Sequence, residues 1–457
     1  MSDLFGLWPH QDKGVCEIQE AWRLGIKSVC FQLSTGGGKS RIIRTIVDMH
    51  AISGKVIYVI AHRERLVKQL SDELTDAGIK HGIIQSGRPY LKYRVQVCSI
   101  QTLANRIDKL SYPELIIIDE AHHVKANNYV KVIDAWPDAL ILGVTATPQR
   151  LDGKPLNDIF DKLIIGPPMR DLIDKNYLSD YDYFAPDTVD LSGVHHQAGE
   201  YKSSEILERV DKRSIIGSAV EHYKLHADHE PAIACCVSIA HAEHVAEQFR
   251  EAGYKALAVH SKMSGVDEAI NGLKDGSLEI LCQCELLGEG VDIKGAVCLI
   301  GLRPTESLVI FLQQTGRVLR YVKGKRAIIL DHVGNWERHG LPDDERKWSL
   351  SGAIKKDMGI SKLKRCPDCL HPVPTVTRVC EYCGHQWTET ANIINRIPEE
   401  KSGVLINVKD RAQKNNLVIE IARSAKTLKE AIEIAKSHGV VHTQAYNIWT
   451  GILKNKC

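Results

Sequence analysis

The chain has 457 residues, 44% hydrophobic and 25% charged, with a formal net charge of +2. That length exceeds what one core organises, so about two to four domains are expected. The composition is that of a folded globular protein and excludes a fibrous or disordered chain. No apolar run reaches the length of a membrane helix, and the opening MSDLFGLWPH lacks the basic-then-apolar order of a secretion leader. Thirteen cysteines are present. Four form two CxxC pairs, and Cys30, Cys98, Cys235, Cys236 and Cys298 lie in apolar runs, a usage that suits a reducing compartment. Cys16 and Cys457 read as free thiols.

Along the first 165 residues, the runs SVCFQL, KVIYVIA, YRVQVCSI, ELIIIDE and ALILGVT are short, β-branched and nearly continuously apolar. Strands buried on both faces of a parallel sheet have this character. Amphipathic stretches such as RERLVKQLSDELTDAG separate them. A second series, PAIACCVSI, KALAVHS, LEILCQC, AVCLIGL and RAIILDH, follows a connector near 166–230. Two tandem α/β domains with parallel sheets are therefore predicted, over 1–165 and 166–355 with the connector in the latter. A Cys-rich module at 362–388 and a basic helical segment at 405–457 follow.

The stretch FQLSTGGGKS joins a predicted strand to the helix KSRIIRTIVDMH. Backbone N–H groups of such a turn and the positive end of the helix suit phosphate binding. Lys39 would reach the β- and γ-phosphates and Ser40 would hold Mg²⁺. The usual pattern begins with a Gly separated by four residues from the second Gly, and Leu33 stands there. A plain Gly-rich turn is the alternative. Asp119 and Glu120 end the run LIIIDE, where one carboxylate can hold Mg²⁺ and its neighbour can orient or deprotonate water. Gln313, Arg317 and Arg320 are spaced i, i+4, i+7, so on a helix they share a face able to clamp charge on a γ-phosphoryl group. A solvated basic helix surface is the other reading.

STGGGKS, DEAH and TATP (145–148), in that order, resemble motifs I, II and III of superfamily 2 helicases. WPHQ (8–11), AHRERLVKQ (61–69), SIQTL (99–103), GEGVD (288–292) and QQTGRVLR (313–320) resemble further motifs of the family, over roughly residues 5–340. GVTATPQRLDG and LRPTES…QQTGRVLR look closest to the UvsW/XPB-like and restriction-motor branch of DEAH-type members. In that branch the phosphate loop commonly opens with Leu. The resemblance implies two RecA-like domains and ATP hydrolysis with Mg²⁺. It implies nucleotide binding by Gln11, Thr35, Gly36, Gly37, Gly38, Lys39, Ser40, Gly290 and Asp292. His122, Thr145 and Thr147 would couple hydrolysis to nucleic acid. Arg63, Gln101, Thr102, Arg303 and Thr305 would contact its backbone.

Cys366, Cys369, Cys380 and Cys383 form CxxC-x10-CxxC, a ligand spacing for one tetrahedral structural Zn²⁺. Similar zinc ribbons follow helicase cores in phage-type members. Residues 405–457 carry nine Lys/Arg against four acids. A DNA-contacting hairpin and a packing hairpin with a basic face both fit. The expected function is an ATP-dependent DNA helicase or translocase on duplex, forked or single-stranded DNA, in replication, recombination or repair. An RNA helicase and an ATP-gated DNA-binding factor remain as alternatives. The expected setting is the cytoplasm of a bacterial or phage-infected cell, as a monomer with replication or recombination partners.

Overall fold

The computed structural model describes residues 6–124, 127–150, 155–185, 196–197, 200–201, 213–260, 263, 265–284, 295–351, 363–365, 372–374 and 406–407. Period-two alternation divides each strand of the first sheet between two cores. In β5 (Leu115–Asp119), Leu115 and Ile117 join one apolar cluster while Ile116 and Ile118 join another. β2 (Ile57–Ala61) divides in the same way, with Ile57, Val59 and Ala61 on one face and Tyr58 and Ile60 on the other. A strand wanted by two cores cannot be polar on either side, which is why its sequence is a continuous apolar run. Each fully buried large aliphatic contributes roughly 1.5–3 kcal/mol relative to exposure.

Helices α1 (Pro9–Arg23), α2 (Lys39–Ile52) and α3 (Glu64–Asp76) cover the first face through Ile18, Ile42, Ile46, Leu66 and Leu70. The short α4 (Ile100–Ala104) and α5 (Asn127–Ala135) cover the second through Leu103, Tyr129 and Val132. The remaining strands are β1 (Ser28–Gln32), β3 (Gly82–Ile84), β4 (Val95–Ser99), β6 (Leu140–Thr145) and β7 (Lys162–Ile165). The order is β3-β4-β2-β5-β6-β1-β7, with every pairing parallel. The loops after β1, β5 and β6 therefore leave neighbouring strands at the same carboxyl edge, where open α/β sheets bind ligands.

After α6 (Met169–Asp174) and β8 (Tyr181–Ala185) come the short antiparallel pair β9 (His196–Gln197) and β10 (Glu200–Tyr201). The second sheet contains β11 (Ala232–Cys235), β12 (Ala256–His260), β13 (Ile280–Cys284), β14 (Cys298–Gly301) and β15 (Ala327–Asp331). They run parallel in the order β12-β13-β11-β14-β15, with β8 next in line. Its helices are α7 (Arg213–His226), α8 (Ile239–Glu251), α9 (Val266–Asp275), α10 (Leu308–Val318) and α11 (Asn335–His339). All ten apolar runs read from the sequence are strands, and the tandem α/β class is as predicted. Cys30, Cys98, Cys235, Cys236 and Cys298 are buried and outside any disulfide. Among the described residues, no helix is long and apolar enough to cross a membrane.

One helix boundary departs from expectation. α10 ends at Val318, so Arg320 is not on the helix with Gln313 and Arg317. Arg320 instead forms an antiparallel bridge with Leu178, and Ser179 fastens the same place. Its N–H donates to the Leu319 carbonyl at 2.8 Å and its hydroxyl donates to the Arg320 carbonyl at 3.1 Å. Contacts across some 140 residues of chain draw the segment off the helical path.

A separate unit contains the antiparallel pair β16 (Leu363–Arg365) and β17 (Pro372–Pro374). Cys366 and Cys369 fall between these strands in sequence, and all four candidate zinc ligands lie outside the described residues. So does most of 405–457.

Candidate functional site

Leu33 settles why the phosphate loop can begin without Gly. It is fully buried in the first core, and its N–H donates to the Thr145 carbonyl at 2.9 Å. Its side chain lies beneath Gly37 and against Gly166. The loop is anchored by an apolar residue here, and the conformational freedom is supplied further on. Gly36 and Gly38 have φ of 85° and 90°, a region that side chains with a Cβ rarely occupy. Gly38 is the N-cap of α2 and has no side chain to occupy the free amides of the first turn. A glycine-lined cradle at the start of a 14-residue helix suits an anion such as a triphosphate.

Gln11, expected from its motif to contact the nucleotide, is held against the phosphate loop. It is fully buried, accepts from the Trp8 N–H at 3.0 Å and donates through Nε2 to the Gly37 carbonyl at 3.0 Å. It therefore braces the loop. His10 Nε2 lies 3.1 Å from the same carbonyl. Trp8 stacks on Tyr177 with ring centroids 4.7 Å apart, so the first helix and the connector meet beside the loop.

Lys39 Nζ lies 3.4 Å from Glu120 Oε1, both side chains being nearly buried. Asp119 is buried at the end of β5, and desolvation raises its carboxyl to about 7, with Glu120 adding to the rise and Lys39 opposing it. A carboxylate in that condition favours a cation. With Ser40 in the same cleft, the pair fits Mg²⁺ by donor chemistry. Glu120 has φ 50°, a left-handed conformation costing on the order of 1–3 kcal/mol for a residue with a side chain. Its surroundings must hold it there.

Part of that hold comes from His122. Thr145 Oγ1 donates to the Thr147 carbonyl at 3.0 Å and accepts the Thr147 N–H at 3.1 Å. His122 Nδ1, 3.1 Å from the same hydroxyl, is therefore the protonated nitrogen, and it also lies 3.4 Å from Glu120 Oε2. The three residues expected to couple the site thus form one connected group around Glu120.

The second sheet reaches the same place. A cleft of about 340 Å³ is lined by Thr35, Gly36, Gly38, Lys39 and Ser40 of the loop and by Asp119 and Glu120. Gln313, Arg317 and Arg320 line its other wall. Burial pulls Arg320 down to about 10, with Glu73 opposing, so it stays cationic at neutral pH. α10 meets the loop closely at Gly316, where an added Cβ would lie 2.5 Å from the Thr35 Cβ. At another point α3 and α9 are joined by ion pairs of Arg65 and Lys68 with Asp267, the latter at 3.4 Å.

Sequence reasoning missed part of this wall. Leu66, Gln69, Glu73 and Asp76 of α3 line the cleft, as do Arg41 and Arg44 of α2. The α3 positions fall at i, i+3, i+7, i+10, a single stripe visible in the sequence once that face is known to look at the loop.

The expected nucleic-acid contacts are dispersed. Arg63 and Gln101 are exposed at the carboxyl edge of the first sheet, with Thr102 half-buried. Gln101 Nε2 donates to the His62 carbonyl at 3.0 Å. Arg303 is half-buried, whereas Thr305 is fully buried and its hydroxyl accepts the Ser307 N–H at 3.0 Å. Gly290 and Asp292 lie outside the described residues.

A glycine cradle, paired carboxylates and cations from a second parallel sheet around one cleft define a tandem RecA-like nucleotide hydrolase fold. Residues 4–150 match the family of the type III restriction enzyme res subunit, and 212–322 match the helicase conserved C-terminal domain. The chain belongs to the superfamily 2 helicases. It is 34% identical to a 51.5 kDa protein of a Lactococcus phage over 363 residues, 78% of each chain. It is 23% identical to the DNA 3'-5' translocase XPB2 of Sulfurisphaera tokodaii over 365 residues, 69% of this chain and 80% of that one. It spans about half (51%) of a longer Saccharomyces cerevisiae relative. In fold it is similar to a fragment of an HsdR subunit of a type I restriction enzyme from Vibrio vulnificus, with a TM-score of 0.59 at 19% identity. That match covers 73% of this chain and 65% of the other.

Proposed function

We propose that the chain is a DEAH-type, ATP-dependent DNA translocase or helicase acting on duplex, forked or single-stranded DNA in replication, recombination or repair. The observation that carries the reading is the single cleft shared by Lys39, Glu120, Arg317 and Arg320. Lys39 and the loop amides bind the triphosphate. Ser40 and Asp119 would hold Mg²⁺, which would offset negative charge on the phosphates. Glu120 orients the attacking water and accepts its proton, while Gln313, Arg317 and Arg320 steady charge that grows on the γ-phosphoryl oxygens. The XPB2 relative, named as a DNA translocase, favours DNA over RNA as the track. A phage relative favours action in the cytoplasm of an infected bacterial cell.

The deciding experiment measures ATP hydrolysis with single-stranded, duplex, forked and RNA ligands side by side. Stimulation by DNA above RNA is expected, and RNA as the better activator would move the reading to an RNA helicase. Lys39→Ala should abolish turnover in every arm. Hydrolysis undiminished in that variant would remove the motor reading. Turnover on DNA without strand separation or displacement of a bound block would leave an ATP-gated binding factor.

The four-cysteine module belongs to the same proposal. Four thiolates spaced CxxC-x10-CxxC fit Zn²⁺ by donor chemistry, and the strands Leu363–Arg365 and Pro372–Pro374 pair on either side of the first two. Among the described residues no group of three or more His, Cys, Asp or Glu could hold a metal ion.

A further inference from the structure

Three imidazoles stand in a row at the carboxyl edge of the first sheet. The rings of His62 and His123 have centroids 4.3 Å apart, tilted 39°, and those of His123 and His122 are 4.2 Å apart, tilted 41°. One end of the row is His122, whose Nδ1 faces both Thr145 and Glu120. The other end, His62, follows β2 and precedes Arg63, the N-cap of α3. Its carbonyl is held by Gln101, whose own Oε1 accepts the Ser99 hydroxyl at 2.7 Å. The row thus begins beside the exposed Arg63 and Gln101 and ends on the strained carboxylate that faces Lys39.

We propose that His62 and His123 are positioning residues that carry occupancy of the Arg63–Gln101 edge by a nucleic-acid backbone to Glu120. A phosphate drawn onto Arg63 and Gln101 pulls on the backbone of His62 from both sides. Its ring is in contact with His123, so the displacement passes through two tilted ring contacts to His122. Glu120 occupies a backbone region that residues with side chains leave readily, so a small change at His122 is enough to set its direction. Packed rings transmit such a shift because there is no empty space between them to absorb it. The inference rests on the nucleic-acid-stimulated hydrolysis proposed above.

The test uses the full chain as wild type, His62→Leu and His62→Phe. Steady-state hydrolysis is measured without nucleic acid and with saturating DNA or RNA, and binding of the same strand is followed by anisotropy. His62→Leu is expected to lower the stimulated kcat at least fivefold. Its basal kcat, KM for ATP and strand affinity should stay within about twofold of wild type. His62→Phe, which restores a flat ring, should recover most of the stimulation. Full stimulation in His62→Leu overturns the relay and leaves the motor reading standing. Equal loss of basal and stimulated turnover also overturns it, because the ring would then only support the fold. His62→Phe stimulated no better than His62→Leu counts against ring contact as the carrier and overturns it too. A wild type that no strand stimulates overturns the motor reading, and the relay with it.

Discussion

Gly316 of the second sheet domain faces Thr35 of the phosphate loop so closely that a methyl group on Gly316 would lie 2.5 Å from the Thr35 Cβ. In a helix, Gly to Ala ordinarily stabilises by about 1 kcal/mol. Gly316→Ala should therefore leave the helix sound while wedging α10 away from the loop. Arg317 sits one residue on and would be carried back from the cleft. The expected outcome is a kcat at least tenfold lower with a KM for ATP changed only a few-fold. Steady-state kinetics alongside a thermal melt would check it, and an unchanged kcat would mean that the contact yields without cost.

Glu73 is an acid in a cleft suited to a polyanion, and its field reaches both Arg320 and Asp119. Removing that charge should lower KM for ATP by roughly two- to tenfold, the range expected for one partly screened charge several ångströms from another. Glu73→Gln is the suitable variant, with kcat recorded in the same assay. A collapse of kcat instead would show that Glu73 keeps Arg320 in place.

His50 supplies a pH dependence. Burial, with Lys55 adding to the effect, lowers its folded value to about 4 from 6.5, and Gln19 Nε2 lies 3.0 Å from its Nε2. A depressed histidine is neutral in the folded chain while the unfolded chain takes up the proton. Stability at this site is thus intact above 6.5 and falls as pH drops from 6.5 toward 4, by at most about 1.4 kcal/mol per pH unit. His50→Gln should flatten the loss between pH 6.5 and 4.5 relative to wild type, as read from thermal midpoints at stepped pH. Parallel curves for the two proteins would contradict it.

The zinc proposal has a direct measurement. The full chain should carry about one Zn²⁺, and the count should drop when Cys366 and Cys383 become Ser. A chain ending near residue 355 should keep basal hydrolysis, since every residue of the cleft precedes that point. It should bind DNA more weakly and with a shallower salt slope if 405–457 contributes phosphate contacts. An identical salt slope would assign that region to packing or partner docking.

The strands were legible because each one feeds two cores and must be apolar throughout, as Leu115–Ile118 shows. The loop and its carboxylates were legible because their spacing along the chain is local. The end of α10 was not, since Leu178 and Ser179 take hold of Leu319 and Arg320 from far away in sequence. Nor was the bond from Gln11 to the Gly37 carbonyl, since a backbone acceptor on another element leaves no mark on residue identity. Glu73 was hidden for a third reason. A stripe on a helix is visible in sequence, but what it looks at is fixed by the sheet beneath it.

Ser179 ties the connector to the segment bearing Arg320, and Leu178 lies directly against Gly36 of the phosphate loop. The two sheets are thus stitched together at one margin of the cleft. Widening there would strip the buried Leu178 side chain from Gly36 and Tyr177 from Trp8, so a change in the cleft is easier as a swing about that margin than as a parallel separation. The contacts a swing can release most cheaply are those of Arg65 and Lys68 with Asp267, exposed charges that water can re-solvate. Added salt would then loosen the swinging side alone, and nucleotide exchange would quicken with ionic strength while the stitched margin stayed shut.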